Sequence, residues 1–291
     1  MEAKKEHYLS LIREHIPDLQ IGSVHVRSEG QFSDVLILNE NLIFRFPRYT
    51  PEVRNLAQEV KILRLVKHFV SLPVPEPFAF FINEEEEMSS FMAYRMLSGQ
   101  LFWQDTLKAV QEEALVRRLA GQVAAFMAEL HAIPLPGWLI ETPNQDGLES
   151  WQEMYAGFKQ LLFPHMRPDA RREVSREFEE FFAEQELQRF SACLRHGDFG
   201  PGNILYDPQN ERISGVIDFS SAGLGDPAVD IASASCLGDR FFKYFGEFYP
   251  GIKAHLKRAQ FYKSTYALQE ALHGAKNNDA EAFKSGLEQY V

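Results

Sequence analysis

Apolar and polar residues alternate in three short stretches near the N-terminus, residues 23–27, 34–38 and 42–46. This two-residue period predicts β-strands, and the connections SEGQFS and NEN are rich in residues that form turns. Residues 9–16 instead place apolar side chains at helical spacing, and this pattern stops at Pro17. The chain is therefore predicted to begin with a short helix followed by an antiparallel meander.

A second helix and two more strands follow the meander. Residues 51–68 repeat apolar residues along one helical face, and Glu59 sits beside that face. Two further apolar stretches flank the acidic run 84–87, which we interpret as a solvated turn, since consecutive carboxylates in a turn point in different directions. The N-terminal part is thus predicted to hold five strands and one helix.

The pattern becomes helical after residue 98. Helices are predicted over residues 112–133, from Trp151, from Asp169 and from Glu184, and over residues 252–290. Two short apolar runs interrupt them, residues 203–206 and 213–217, and the turn-forming DPQNER between these runs predicts a β-hairpin. The predicted fold class is α+β, with an N-terminal five-stranded antiparallel sheet and a mainly helical remainder that carries the hairpin.

The stretch RHGDFGPGNILYD leads into this hairpin and carries the candidate chemistry. Asn203 starts the first strand and Asp218 follows the second, so antiparallel pairing places both side chains at the same end of the hairpin. Asp198 lies in the loop just before. The sequence predicts that these three oxygen-bearing side chains converge, although Asp and Asn are also ordinary turn residues.

Such a set of side chains suits phosphoryl transfer. Magnesium takes one or two protein oxygens together with water and phosphate, and Asn203 and Asp218 supply such a pair. Asp198 would accept the proton of an attacking hydroxyl. Phosphoryl transfer asks for little more than positioning and neutralisation of phosphate charge.

Charge and composition narrow the class of partner. The 291 residues carry a formal net charge of -11 and show no cluster of Lys and Arg, which argues against a nucleic-acid partner. The acidic balance suits a small, cationic guest, but many cytosolic proteins are acidic simply to stay soluble. Cys193 and Cys236 are too few for a disulfide framework. The N-terminus lacks the apolar core of a secretory signal, so we expect a cytoplasmic protein without a membrane partner. The sequence leaves the oligomeric state open.

The segments HGDFGPGNILYD and GVIDFSSAGLGDPAVDIAS resemble the aminoglycoside phosphotransferase family, a branch of the protein-kinase-like superfamily. The resemblance implies a bilobal fold, with a nucleotide-binding lobe over residues 1–96 and a catalytic and substrate-binding lobe over residues 97–291. It also implies transfer of the terminal phosphoryl group of ATP or GTP, with Mg²⁺, to a hydroxyl group.

Roles follow by matching the family's catalytic motif. The resemblance makes Asp198 the catalytic base and makes Asn203 and Asp218 the magnesium ligands. His196 resembles the family's histidine that braces the loop. Asp230 resembles an aspartate that supports the same loop structurally.

The residues that would bind the nucleotide depart from the family's usual pattern at two places. Arg45 stands where the family usually has a lysine that contacts the nucleotide phosphates, and Glu59 is its expected partner; the alternative is an exposed arginine and an exposed glutamate. Gly30 alone represents the phosphate-covering glycine-rich loop.

The hinge between the two predicted lobes completes the nucleotide site. By resemblance, Arg95 and Leu97 offer a backbone carbonyl and amide to the base, and Tyr94 is the gatekeeper.

The sequence is compatible with several alcohols as the acceptor of the phosphoryl group. An aminoglycoside is the leading interpretation, with Asp239, Glu247 and Glu270 as candidate partners of its amines. Macrolides and metabolites such as homoserine, choline or sugars fit the same core. A protein kinase is disfavoured because Gly200 stands where protein-serine kinases commonly carry a lysine. A silent nucleotide-binding module is disfavoured because the Asp198, Asn203 and Asp218 set is complete.

Overall fold

The protein is described by a computed structural model that covers residues 2–27, 33–86, 88–185 and 187–291. The strands are β1 (Val24–Arg27), β2 (Ser33–Leu38), β3 (Leu42–Pro47), β4 (Pro77–Phe81), β5 (Phe91–Arg95), β6 (Gln100–Leu101), β7 (Cys193–Arg195), β8 (Ile204–Asp207), β9 (Arg212–Val216) and β10 (Gly223–Gly225). The helices are α1 (Glu2–His15), α2 (Thr50–Val66), α3 (Gln104–Ala109), α4 (Glu113–His131), α5 (Gly137–Ile140), α6 (Leu148–Gly157), α7 (Pro168–Ala183), α8 (Pro227–Ala234), α9 (Asp239–Phe248), α10 (Leu256–Ser264), α11 (Tyr266–Asn277) and α12 (Ala280–Leu287).

The chain divides into two compact units. Unit 1 comprises Met1–Leu130 and Pro201–Ala222, and unit 2 comprises His131–Gly200 and Gly223–Val291. The chain therefore passes from unit 2 into unit 1 immediately before the predicted hairpin, and leaves unit 1 again after it. The boundary predicted between residues 96 and 97 separates two lobes by their expected roles. The division into compact units does not test those roles, so this boundary stays a prediction.

The five-stranded antiparallel sheet of unit 1 confirms the predicted N-terminal architecture. Its strand order is β1-β2-β3-β5-β4, so the meander of the first three strands is extended by β5, and β4 lies at the edge. All six residues of β3 are buried, because this central strand is covered on both faces. Phe44 and Phe46 pack with α1, while Arg45 between them pairs with Glu59 of α2.

Helix α1 is longer than the predicted helix over residues 9–16. Its first residues, EAKKEH, are polar except for Ala3 and give no apolar stripe, so the hydrophobic pattern indicates only the part of the helix that packs. Tyr8 stacks on Phe46 at 3.9 Å between ring centroids and donates a hydrogen bond to Asp34 of β2 at 2.8 Å. The helix is thereby fixed to the sheet by an apolar contact and a buried polar one.

The predicted hairpin is present in unit 1 as β8 and β9. The two strands pair antiparallel from Ile204 and Val216 to Asp207 and Arg212. Strand β6 extends them to a three-stranded sheet, which the sequence did not indicate because β6 is two exposed residues long.

Unit 2 is mainly helical, with β7 and β10 forming a two-stranded antiparallel sheet. The helix predicted from Glu184 is wrong. Helix α7 ends at Ala183, and the described residues after it form turns closed by hydrogen bonds from Leu187 N–H to Glu184 O at 2.9 Å and from Gln188 N–H to Gln185 O at 3.2 Å. None of the described helices is long and apolar enough to cross a membrane.

Candidate functional site

Arg45, itself buried, is the centre of a charged cluster in unit 1. Its guanidinium donates a hydrogen bond of 2.7 Å to Glu59 Oε1 and lies 3.3 Å from Asp218 Oδ1. Tyr94 of β5 interacts electrostatically with the same guanidinium. We call these four residues, Arg45, Glu59, Tyr94 and Asp218, the Arg45 cluster. The alternative of an exposed arginine and an exposed glutamate is wrong, since Arg45 and Glu59 are 8% and 2% exposed.

Burial and the neighbouring charges act in opposite directions on the pKa values of Glu59 and Arg45. Burial raises the pKa of Glu59 to about 7, because removal of the carboxylate from water outweighs the attraction of Arg45, and the charge of Asp218 adds to the effect. The backbone N–H of Phe219 donates to Glu59 and partly offsets the rise. Burial alone would lower the pKa of Arg45, but the charges of Glu59 and Asp218 outweigh it and raise that pKa, so Arg45 stays a cation.

Asn203 and Asp218 lie at the same end of the hairpin, as predicted. The backbone O of Asn203 accepts a hydrogen bond of 2.9 Å from Ile217 N–H, next to Asp218. Asp218 has a left-handed backbone, with φ 62°, and its carboxylate accepts from Ser220 N–H at 3.4 Å as it caps a short 3₁₀ turn. Its side chain is 41% exposed and Asn203 is half-buried. One accessible carboxylate and one amide fit a Mg²⁺ ion, which keeps water and phosphate oxygens in its remaining positions.

Asp198 lies in a braced loop of unit 2. The backbone N–H groups of His196 and Gly197 both donate to Asp230 of α8 at 2.8 Å, and His131 lies 2.9 Å from the same carboxylate. Asp198 N–H donates to His196 Nδ1 at 3.3 Å. The bracing roles expected for His196 and Asp230 are therefore seen in these contacts. The loop presents Asp198 as an exposed residue.

Asp230 itself is held as an anion. Burial would raise its pKa, but the hydrogen bond from His131 and the neighbouring charges of His131, His196 and Arg195 lower the pKa below its usual value. A buried carboxylate that accepts two backbone N–H groups fixes the conformation of the loop, and this includes Gly197, whose φ is 85°. Asp198 belongs to unit 2, and Asn203 and Asp218 belong to unit 1, so the convergence of all three stays a prediction.

The predicted hinge residues follow the sheet of unit 1. Tyr94 is half-buried and Arg95 exposed at the end of β5, and Leu97 is half-buried just beyond. Met96 N–H between them donates to Asn41 O at 2.8 Å. Gly30, the predicted phosphate-loop residue, lies outside the described residues. Asp239, Glu247 and Glu270 are all exposed, the first two on α9 and the third on α11 of unit 2.

Two buried ion pairs behind the loop of Asp198 were missed by sequence reasoning. Arg195, directly before His196, binds Asp146 through its Nε at 2.5 Å and its second nitrogen at 3.0 Å. Asp226 binds Arg258 of α10 at 2.5 Å and accepts from Tyr262 at 2.8 Å. The partners are far apart in sequence and follow no period, so the only available signal is the charge of Arg195 inside an apolar strand.

The fold is shared with known phosphotransferases, at about a quarter of identical residues or fewer. Viomycin phosphotransferase from Streptomyces vinaceus is 26% identical over 298 aligned positions, which cover 98% of each chain. The GDP complex of aminoglycoside 2'-phosphotransferase-IIIa superposes with a TM-score of 0.86 at 24% identity, over 98% of this chain and 96% of that one. Macrolide 2'-phosphotransferase type I superposes with a TM-score of 0.73 at 18% identity, over 100% and 98%.

A sequence model described as the phosphotransferase enzyme family matches residues 25–267. This match spans the Arg45 cluster, the loop of Asp198 and the hairpin, and it covers well over half of the chain. The chain belongs to the phosphotransferase enzyme family.

Proposed function

We propose that the chain is a small-molecule kinase that transfers the terminal phosphoryl group of ATP or GTP to a hydroxyl of an aminoglycoside-type antibiotic. The observation that carries this proposal is the Arg45 cluster, in which a buried cation, paired with Glu59, reaches a carboxylate at the end of the hairpin. The family provides the reaction class, and the cluster supports a role for these particular residues in it.

The reacting hydroxyl loses its proton to Asp198. As the hydroxyl oxygen bonds to the terminal phosphorus, the bond from that phosphorus to its bridging oxygen breaks, and the nucleoside diphosphate leaves with the electron pair. The braced loop supports this role, because two backbone N–H groups and His131 hold Asp230, which leaves Asp198 exposed on a fixed backbone.

Asn203 and Asp218 would hold Mg²⁺. When bound, this ion neutralises phosphate charge and orients the phosphates. The guanidinium of Arg45, held by Glu59, would donate to phosphate oxygens, and its planar fork suits two-point contact with them. Gly30 would cover the phosphates, and the backbone of Arg95 and Leu97, with Tyr94 beside them, would receive the base.

The nature of donor and acceptor is supported by the relatives. Structures of neighbours in the fold carry GDP, and one is described with ADP. One neighbour is a complex with GDP and kanamycin and another a complex with gentamicin. The net charge of -11 favours a cationic acceptor, which the exposed Asp239, Glu247 and Glu270 would attract.

The test is release of nucleoside diphosphate from ATP or GTP, with Mg²⁺ and a panel of aminoglycosides, viomycin, macrolides and small alcohols. We expect turnover with at least one aminoglycoside. Asp198→Ala should lower the turnover number by about 10²-fold or more, because a general base contributes that much, while nucleotide binding survives.

Asp105→Ala is the matched control. Its side chain is 90% exposed and forms only a surface pair with Lys108, so turnover should stay at the level of the unmodified chain. Turnover with a macrolide or a metabolite, but with no aminoglycoside, would show that the proposed class of acceptor is wrong. Unchanged turnover in Asp198→Ala would remove Asp198 from the role of base.

A further inference from the structure

Unit 1 contains a pocket that shares no lining residue with the Arg45 cluster. Its volume is about 570 Å³, within the range that small-molecule sites occupy. It lies where the end of α2, the segment leading into β4 and the residues after β5 meet. The residues that line it are Arg64, Lys67, Pro73, Val74, Glu76, Pro77, Phe78, Arg95 and Leu97.

The charges in this pocket oppose the charge of the whole chain. Three cations face one carboxylate, in a protein whose formal net charge is -11. Glu76 is bound to Lys67 at 3.1 Å. Among the described residues no carboxylate forms an ion pair with Arg64 or with Arg95. The pocket therefore holds two cations without a counter-charge.

Arg64 is preorganised for a ligand. Its guanidinium lies over the ring of Phe80, 4.6 Å from the ring centroid. Stacking of this kind occupies one face of the guanidinium and leaves the N–H groups at its edge able to donate to a carboxylate or a phosphate. An anion bound here would thus meet a cation whose conformation is already restricted.

The rest of the lining is apolar. Pro73, Val74, Pro77, Phe78 and Leu97 supply it, and Phe78 is 49% exposed at the pocket. A fully hydrated inorganic ion would leave this surface unused, whereas a flat apolar body attached to an anionic group would cover it. We propose that this pocket binds an organic anion, a phosphate or carboxylate carried on an aromatic or similarly flat apolar group.

The pocket is joined to the hairpin that carries Asp218, although it shares no described residue with the Arg45 cluster. Pro73 O accepts a hydrogen bond of 2.9 Å from Val216 N–H. A methyl group added at Gly215 would lie 3.0 Å from both Pro73 O and the side chain of Leu97, so the strand passes directly against the pocket wall. The pocket also shares Arg95 and Leu97 with the predicted hinge, whose backbone is proposed to receive the base of the nucleotide. The proposal therefore requires that the ligand bind while the nucleotide site is filled.

The experiment is a calorimetric titration of the full chain with naphthyl phosphate at low salt, with saturating GDP and Mg²⁺. We expect binding that the double variant Arg64→Gln, Lys67→Gln weakens by about tenfold or more, and that neutral naphthol does not reproduce. Both variant positions are exposed, so the variant should fold normally, which its thermal transition will verify.

Lys61→Gln is the matched control, since it removes one charge from an exposed position of α2 that does not line the pocket. It should change the affinity by less than about twofold. Three results would overturn the proposal: equal weakening by Lys61→Gln and by the double variant, equal binding of naphthol, or displacement of naphthyl phosphate by the nucleotide. The outcome does not depend on turnover, so it can be separated from failure of the proposed kinase activity.

Discussion

At the scale of single residues, the state of Glu59 depends on a balance between burial and its two charged neighbours. Arg45 stabilises the carboxylate, while burial and Asp218 destabilise it, and the balance places the pKa at about 7 instead of the usual 4.5. Between these two values the folded chain keeps a proton on Glu59 that the unfolded chain has released. The free energy of unfolding must then fall as the pH rises through this window.

Glu59→Gln should remove this dependence, because glutamine has the shape of the protonated acid and does not titrate. Relative to the variant, the unmodified chain should lose stability from about pH 5 to about pH 8, by roughly 1 to 3 kcal/mol at about 1.4 kcal/mol per unit of pKa shift. The measurement is urea unfolding of both proteins across this range, without Mg²⁺ or nucleotide. If the unmodified chain instead gained stability relative to the variant as the pH rises, the attraction of Arg45 would outweigh burial and the pKa of Glu59 would be lowered.

At the scale of elements, Asp146 joins the loop before α6 to the small sheet of unit 2. It binds Arg195 of β7 and accepts the N–H of Asp226, which follows β10, at 2.9 Å. Gly225 shows how closely these groups pack, since a methyl group there would collide with the Asp146 carboxylate and lie 2.5 Å from Arg195 Nε. The ion pair therefore supports the strand that leads directly into the loop of Asp198.

Asp146→Asn should destabilise unit 2 by about 3 kcal/mol or more, because it leaves the buried guanidinium of Arg195 without its main counter-charge. Chemical unfolding measures the loss. The comparison is Asp169→Asn, which breaks the exposed pair of Asp169 with Arg167 and should cost far less, because water screens an exposed ion pair. Similar losses for both substitutions would show that the Asp146 pair adds nothing beyond a surface contact.

The elements also show what could be predicted from sequence. The strands of unit 1 and the hairpin alternate or carry short apolar runs, and their positions were predicted to within a few residues. The first two turns of α1 and the two-residue β6 carry no apolar pattern, and neither was predicted. The segment that starts at Glu184 is made of residues that favour helices, but Leu187 lies in a turn. Packing, and not local helix propensity, decides the backbone conformation there.

The candidate site was predictable only in part, for a similar reason. Asn203 and Asp218 are placed by hairpin register, which sequence reveals. Arg45 and Glu59 could be paired only through the family resemblance. Asp146 and Arg195 are 49 residues apart, and nothing in either local sequence indicates the other.

At the scale of the whole molecule, the account requires residues of both units to act in one reaction. Asp198 and its brace belong to unit 2, whereas the Arg45 cluster and Asn203 belong to unit 1. Nucleotide binding alone would test only unit 1, and hydrolysis of the nucleotide would not require an acceptor. Transfer of the phosphoryl group to an acceptor is the property that tests both units together.

The most direct measurement follows a label placed on the terminal phosphate of GTP or ATP, incubated with the full chain, Mg²⁺ and each aminoglycoside and other alcohol of the panel in turn. We predict that the label appears in at least one aminoglycoside as a phosphoryl ester, in step with release of the nucleoside diphosphate, and that Asp198→Ala slows both by about 10²-fold or more. Label found only in inorganic phosphate, or left entirely in the nucleotide across the whole panel of alcohols, would contradict it.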